Sequence, residues 1–161
     1  MQITPVTLAK QPFLAGLSER QLGILADNSM PAAFKPDEFI FLEGDPANRF
    51  YLILEGEVAL EAPIDEAGFR KGAVPIETVR AGNVLGWSWL FPPYYWHFDA
   101  RAMTPVKAIF FYGTTLREQC ERDHDLGYEL MKRLSEVVIN RLQMTRQQIF
   151  RQQANPALSV G

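Results

Sequence analysis

Cysteine and histidine are scarce in this sequence of 161 residues, which has one cysteine, Cys120, and two histidines, His97 and His124. A single cysteine excludes a disulfide within the chain, and this suits a reducing compartment. The two histidines lie far apart in the sequence, whereas a metalloenzyme site normally needs several His or carboxylate ligands around one ion. Metal-dependent catalysis is therefore only a minor alternative.

Long apolar runs and catalytic motifs are also missing. No stretch of about 18 apolar residues exists, so we expect no membrane span. The N-terminal residues 1–13 lack the apolar core of a signal peptide. There is no Ser-His-Asp constellation and no Gly-rich phosphate loop ending in Lys. The net charge of −3 gives no general attraction to nucleic acid. We expect a cytoplasmic protein that is not an enzyme.

The length and composition are those of one folded domain, with 47% apolar and 22% charged residues. We assign residues 1–153 to this domain and expect residues 154–161 to form a mobile tail. Near the N-terminus, Ser18 and Gln21 have the spacing of a capping box. They predict a short helix over residues 17–27.

Short apolar runs separated by turn residues fill the middle of the chain. The strand candidates are residues 39–42, 50–54, 58–60, 96–102 and 106–112. Several short strands at such intervals are typical of an antiparallel barrel. We predict a mainly β fold with flanking helices, in which residues 31–113 form a double-stranded β-helix, or jelly roll.

Two helices are predicted over residues 114–153, the first capped by Thr114 or Thr115 and the second started by Asp123 or Asp125. The long second helix has apolar residues at spacings of three, four and seven, which indicate two apolar stripes. One stripe would cover the barrel, and the other would pair with a second copy of the chain. Alternatively, both belong to one broad stripe packed on its own domain. The predicted dimer contacts are Leu130, Leu134, Val138, Leu142 and Ile149.

Four stretches give the chain a family resemblance: residues 41–45 (FLEGD), 50–58 (FYLILEGEV), 81–86 (AGNVLG) and 141–145 (RLQMT). With the order of elements, they resemble the cyclic nucleotide-binding domain family, including the catabolite-activator and fumarate/nitrate-regulator group. The similarity covers roughly residues 12–150. It implies the jelly roll, a cyclic-nucleotide pocket and a dimerising long helix.

The resemblance also implies a phosphate-binding cassette, in which a glycine and free backbone N–H groups hold a cyclic phosphate. Gly86 matches this glycine. The family's ribose-binding Glu corresponds to Trp87, and its phosphate-binding Arg corresponds to Trp96. A phosphate enclosed without its cation would be strongly disfavoured, so we predict a degenerate cassette. The predicted pocket residues are Gly86, Trp87, Ser88, Trp89, Leu90, Trp96, His97, Phe98 and Thr145.

Other side chains offer no obvious replacement for the missing cation. In a strand over residues 96–102, alternation turns His97 and Arg101 to the face opposite Trp96. The aromatic residues of the cassette are interpreted as packing, because they carry large apolar areas. An alternative is an aromatic cleft for a flatter or less charged ligand.

We therefore expect a regulatory module with a degenerate cassette, which acts through dimerisation and a protein partner. The first alternative is a receptor for cyclic AMP or cyclic GMP that uses the backbone amides of Gly86 and Ser88 together with Thr145. The minor alternative is a cupin-like metalloenzyme. No cofactor is certain, and a cyclic nucleotide or another small ligand is the candidate. Only about ten residues follow the long helix, so this chain alone is not expected to bind DNA specifically.

Overall fold

Eight strands form two four-stranded antiparallel sheets in the computed structural model, which describes residues 1–154. The strands are β1 (Ser29–Phe34), β2 (Phe39–Phe41), β3 (Arg49–Glu55), β4 (Glu57–Glu66), β5 (Phe69–Arg80), β6 (Val84–Leu85), β7 (Asp99–Ala102) and β8 (Val106–Tyr112). One sheet has the order β1-β8-β3-β6, and the other has the order β2-β7-β4-β5. This arrangement confirms the predicted mainly β, jelly-roll fold.

Four α-helices flank the sheets: α1 (Pro5–Ala9), α2 (Glu19–Asp27), α3 (Gly113–Arg122) and α4 (His124–Ala154), with a 3-10 turn at Pro12–Leu14. The capping box at Ser18 is present, because its hydroxyl accepts from Gln21 N–H while the Gln21 side chain accepts from Ser18 N–H. The sequence analysis missed α1. Within residues 1–154, none of these helices is long and apolar enough to cross a membrane.

Of the two C-terminal helices, α3 begins differently from the prediction, whereas α4 begins after Asp123 as predicted. Helix α3 starts at Gly113, and no side chain caps it, so neither Thr114 nor Thr115 has the predicted role. Asp123 lies just before α4, where its Oδ1 accepts from the Leu126 N–H at 3.1 Å. Helix α4 extends to Ala154. Of the predicted mobile tail, residues 155–161 lie outside the described residues.

Strand β3 is buried on both faces, which explains its almost uninterrupted apolar sequence. Phe50 and Leu52 pack with the helices, whereas Tyr51 and Ile53 pack with residues of the opposite sheet. The chain therefore has one core between the sheets and another between a sheet and the helices.

The inner face of α4 belongs to the core of its own chain. Leu130 and Leu134 are fully buried there, so the prediction that they contact a second copy of the chain is wrong. They follow the alternative, in which the stripe packs on its own domain. Val138 is half-buried, whereas Leu142 is 67% exposed and Ile149 is 51% exposed. The side of α4 that carries Leu130 and Leu134 is thus buried, whereas the side that carries Leu142 and Ile149 is exposed.

Candidate functional site

The turn that follows β6 forms one wall of the candidate site. Gly86 has a φ angle of +97°, in the left-handed region that favours glycine. A short turn comes next and is closed by a hydrogen bond of 3.2 Å from the Leu90 N–H to the Trp87 carbonyl. The backbone therefore reverses direction at the position where the resemblance places the cassette glycine.

A second loop holds Trp96 in place above this turn. The Trp96 N–H donates to the Asp45 carbonyl at 3.0 Å, and the Trp96 carbonyl accepts from the Gly44 N–H at 2.9 Å. The Ala47 N–H also donates to the Tyr94 carbonyl at 2.7 Å. These backbone bonds fix the segment that carries Trp96 against the loop between β2 and β3.

The indole of Trp96 fills the space over Gly86. It is 6% exposed and stacks on Phe41, with ring centroids 3.9 Å apart and planes 8° from parallel. Stacked aromatic pairs of this kind add to the stability gained from their buried area. Trp96, which the resemblance matches to the family's phosphate-binding Arg, is thus a packed core side chain.

His97 lies on the same side as Trp96, and the prediction from strand alternation was wrong here. The Nδ1 atom of His97 is 3.0 Å from Ser88 Oγ, and its ring stacks on Trp87 at 4.8 Å. Strand β7 begins only at Asp99, and residues 97–98 form a bend. Alternation therefore does not apply between Trp96 and His97.

Arg101 lies in β7, where its partners are two carboxylates. Its Nε is 2.9 Å from Glu61 Oε1, and its Nη1 is 2.9 Å from Asp37 Oδ1. These pairs raise the pKa of the Arg101 guanidinium, with the hydrogen bond to Glu61 as the main cause. Arg101 is thus committed to ion pairs away from the cassette.

Only a small cavity remains in the cassette, with a volume of about 10 Å³. It is lined by Phe41, Leu60, Gly86, Trp87, Ser88, Trp96, His97, Phe98 and Arg141. This volume is about that of one water site, whereas small-molecule sites usually have about 300–1,000 Å³. Six of the nine predicted pocket residues are brought together around this cavity, and Trp96 occupies most of the space.

The other three predicted pocket residues lie elsewhere. Trp89 is fully buried in the core and stacks on Phe50 at 4.8 Å. Leu90 lines a separate groove beside α3 and α4. Thr145 donates its hydroxyl to the Arg141 carbonyl on its own helix at 2.9 Å. Since the turn after Ser88 reverses the chain, it carries Trp89 and Leu90 away from the cassette.

Arg141 is a cavity residue that the sequence analysis missed. It is 7% exposed, and its Nε donates to Glu77 Oε2 at 2.9 Å. The position offered a signal, because Arg141 lies seven residues after Leu134 and so falls in the buried stripe of α4. A charged residue in such a stripe must have a partner inside the protein.

No metal site is formed by the side chains described in residues 1–154, because no three His, Cys, Asp or Glu residues lie together as ligands. Arg141, His97 and Ser88 are polar side chains at the cassette that could donate to an anion or a hydroxyl group. The chemistry available there is hydrogen bonding and aromatic stacking.

A jelly roll with a glycine turn under a long C-terminal helix is the class of fold that the structure defines. The family model of the cyclic nucleotide-binding domain matches residues 31–123, which is more than half of the chain. The chain therefore belongs to the cyclic nucleotide-binding domain family.

Comparisons with individual proteins agree with this assignment. A cyclic nucleotide-binding protein of Geobacter metallireducens is 33% identical, with a TM-score of 0.76 over 87% of this chain and 98% of that one. The regulatory subunit of a cAMP-independent protein kinase A from Trypanosoma cruzi, solved with guanosine, is 26% identical. Its TM-score is 0.57 over 66% of this chain and 36% of that one.

A cyclic nucleotide-gated ion channel of Arabidopsis thaliana is 31% identical over 77 residues, or 48% of this chain. The chain spans only about a tenth of the length of that channel, since the match covers 10% of it. The likeness therefore concerns one domain of a much longer protein.

Proposed function

We propose that this chain is a non-enzymatic regulatory module whose cassette is filled by its own Trp96. The single observation that carries the proposal is the cavity of about 10 Å³ under the stacked Trp96 and Phe41 rings. A cyclic nucleotide would have to displace the indole. It would also lack the Arg that the resemblance expects at position 96, and the Arg141 that lines the cavity is already paired with Glu77. Both requirements reduce its affinity, because ion pairing with Arg is a main source of phosphate binding.

The proposed output of the module is association through α4. An outer stripe, defined as Tyr128, Met131, Val138, Leu142 and Ile149, has the spacing of a coiled-coil seam. Its members are exposed or half-buried, so burying them would add apolar contact that the single chain lacks. We assign this stripe to a second copy of the chain, and a protein partner would read the state of the dimer.

Calorimetric titration with cyclic AMP and cyclic GMP tests the filled cassette. We expect no saturable binding to the wild type, and gained affinity in the double variant Trp87→Glu/Trp96→Arg. Trp87→Glu/Tyr95→Arg is the matched control, because Tyr95 is exposed and places the cation outside the cavity. Wild-type binding at low micromolar concentration, which is about 8 kcal/mol, would overturn the proposal.

A second candidate function is recognition of a flat ligand without a phosphate. The parallel stack of Trp96 on Phe41 favours it, because a purine that displaced the indole could stack on the same ring. The guanosine found in the Trypanosoma cruzi relative supports the same chemistry. Titration of the wild type with guanosine decides between the candidates, since saturable guanosine binding without cyclic-nucleotide binding would favour the second.

A further inference from the structure

A second cavity lies between the sheet edge and α4, on the other side of Arg141 from the cassette. We call it the α4–β5 cavity, and its volume is about 260 Å³. Its lining consists of Pro12, Phe13, Glu77, Thr78, Val79, Gly82, Asn83, Val84, Arg133, Glu136, Val137, Asn140 and Arg141. It is thus far larger than the space left in the cassette, and its walls carry charged and amide side chains.

Arg141 has hydrogen-bonding capacity that the protein does not use. Its side chain is more than nine-tenths buried, yet only Nε has an acceptor, Glu77 Oε2 at 2.9 Å. Among residues 1–154, neither Nη1 nor Nη2 donates a hydrogen bond to another side chain or carbonyl. Because a guanidinium has five N–H donors, the four on Nη1 and Nη2 remain for a ligand, and Arg141 lines both this cavity and the cassette.

The other cation of the cavity, Arg133, already uses four of its five N–H donors within the protein. Arg133 donates through Nε to the Phe13 carbonyl at 2.9 Å, and through Nη1 and Nη2 to Glu129 and the Ala15 carbonyl. Arg133 therefore ties α4 to the N-terminal segment. Arg141 is thus the cation in this cavity whose Nη1 and Nη2 donors make no hydrogen bond within residues 1–154.

The energetic cost of Arg141 also calls for another acceptor. Burial of a guanidinium costs several kcal/mol, and one carboxylate with one good hydrogen bond compensates for only part of this. An apolar residue at position 141 would continue the buried stripe of Leu130 and Leu134 at a lower cost. A ligand that accepts from Nη1 and Nη2 would add charge-assisted hydrogen bonds to the one that Glu77 provides.

We propose that the α4–β5 cavity binds a small carboxylic acid that also carries a hydrogen-bond donor, such as an amino or hydroxy acid. The free fork of Arg141 suits one carboxylate, which accepts two parallel hydrogen bonds. Glu77 and Glu136 disfavour a dianion, and Glu136 can accept from the ammonium or hydroxyl group of the ligand. The volume of about 260 Å³ lies just below the usual range of small-molecule sites, so a small acid fits the cavity.

Binding there would act on α4 directly. The cavity has β5, the β5–β6 turn and α4 as its walls, so a bound molecule bridges the helix and the sheet. Glu77 and Ile76 already hold α4 through Arg141 and Gln148. The ligand would strengthen this attachment, because it binds the docked helix more tightly than a detached one. The site shares Arg141 with the cassette, and the other residues that line the two cavities are different.

Titration followed by ¹H–¹⁵N NMR tests the proposal, with glycine, L-alanine, L-serine and L-lactate as probes and inorganic phosphate and methylammonium as comparisons. We expect saturable binding of at least one carboxylate, with shifts centred on Asn83 and Arg141. Arg141→Met should weaken it at least tenfold. Arg101→Met is the control, because that guanidinium pairs with carboxylates elsewhere.

A second variant keeps the test decisive if Arg141→Met fails to fold. Asn140 lies on the exposed side of α4 at the cavity, so Asn140→Trp fills the site and leaves Arg141 in place. It should abolish binding while the unfolding midpoint stays close to that of the wild type. The proposal is overturned if no carboxylate binds saturably, if Asn140→Trp binds as well as the wild type, or if phosphate alone binds.

Discussion

Trp96 lies so close to Gly86 that no other residue fits at position 86. A β-carbon added to Gly86 would be 2.6 Å from Cζ3 and 2.7 Å from Cη2 of the indole. In the family resemblance this glycine leaves room for a phosphate, whereas here the same room is taken by a side chain. Glycine is thus required by the packing of Trp96 as well as by its φ angle of +97°.

Replacement of Gly86 by Ala should destabilise the fold by about 2–3 kcal/mol, from left-handed strain together with overpacking against the indole. Gly44→Ala is the matched control, because Gly44 has a φ of +87° but nothing within 4 Å of an added β-carbon. It should cost only about 1 kcal/mol. Urea unfolding of both variants measures the difference.

A double-mutant cycle of Gly86→Ala with Trp96→Ala measures how much of the destabilisation comes from contact with the indole. The Ala substitution at Gly86 should cost less when Trp96 is absent, because only the backbone strain remains. Equal costs in the two backgrounds would contradict the close packing of these residues.

A glutamate in the outer stripe of α4 should dissociate the proposed dimer. Leu142→Glu and Ile149→Glu each place a charge at an exposed stripe position, so the monomer should keep its fold. Sedimentation velocity should show a dimer for the wild type and a monomer for either variant. Gln143→Glu is the control on the same helix, since Gln143 is exposed and lies outside the stripe.

Leu134→Glu would not serve this experiment, because Leu134 is fully buried and a charge there should unfold the chain. A monomeric wild type at all accessible concentrations would contradict the dimer. So would Leu142→Glu and Ile149→Glu variants that sediment like the wild type.

The sequence predicted strands such as β3 and β8, since they are short apolar runs bounded by turn residues, but it missed β1 and β6. It also predicted Gly86, Trp87 and Trp96 as parts of one cassette through the family resemblance. The side that His97 faces could not be predicted, because alternation holds only in a regular strand and β7 begins at Asp99.

The remaining differences between the predictions and the structure result from tertiary packing. Periodicity showed that α4 has more than one apolar stripe, but it could not assign Leu130 and Leu134 to the core and Leu142 to the surface. The role of Arg141 was equally hidden, because Glu77 lies 64 residues earlier in the chain and meets it only in the folded protein.

Cys120 should react slowly with iodoacetamide. Half-burial is the main cause that raises the pKa of its thiol to about 11, with Asp123 and Glu121 adding to the effect. At pH 8 its thiolate fraction, and so its alkylation rate, should be about two orders of magnitude below that of a free cysteine. Mass spectrometry follows the reaction, and the same protein in urea is the control. Equal rates in both conditions would contradict this environment.

The ion pair between Arg20 and Asp123 should make stability depend on acid pH. Arg20 Nη1 is 2.5 Å from Asp123 Oδ2, and this contact is the main reason that the pKa of Asp123 lies below its ordinary value. A depressed pKa contributes stability that is fully present above the unfolded pKa of about 3.9 and is lost as pH falls through the folded pKa.

Asp123→Asn isolates this charge, because Asn is as good an N-cap as Asp and can still accept from the Leu126 N–H. The wild type should have the higher melting temperature at pH 6, and the difference should shrink as the pH falls below about 4. Added salt should also reduce it at pH 6, because the pair is exposed. Asp125→Asn, which removes a nearby charge but not the pair, should show a smaller pH dependence. If the melting temperatures of the wild type and Asp123→Asn differ by the same amount from pH 6 to pH 2, the pair does not hold α2 to the start of α4.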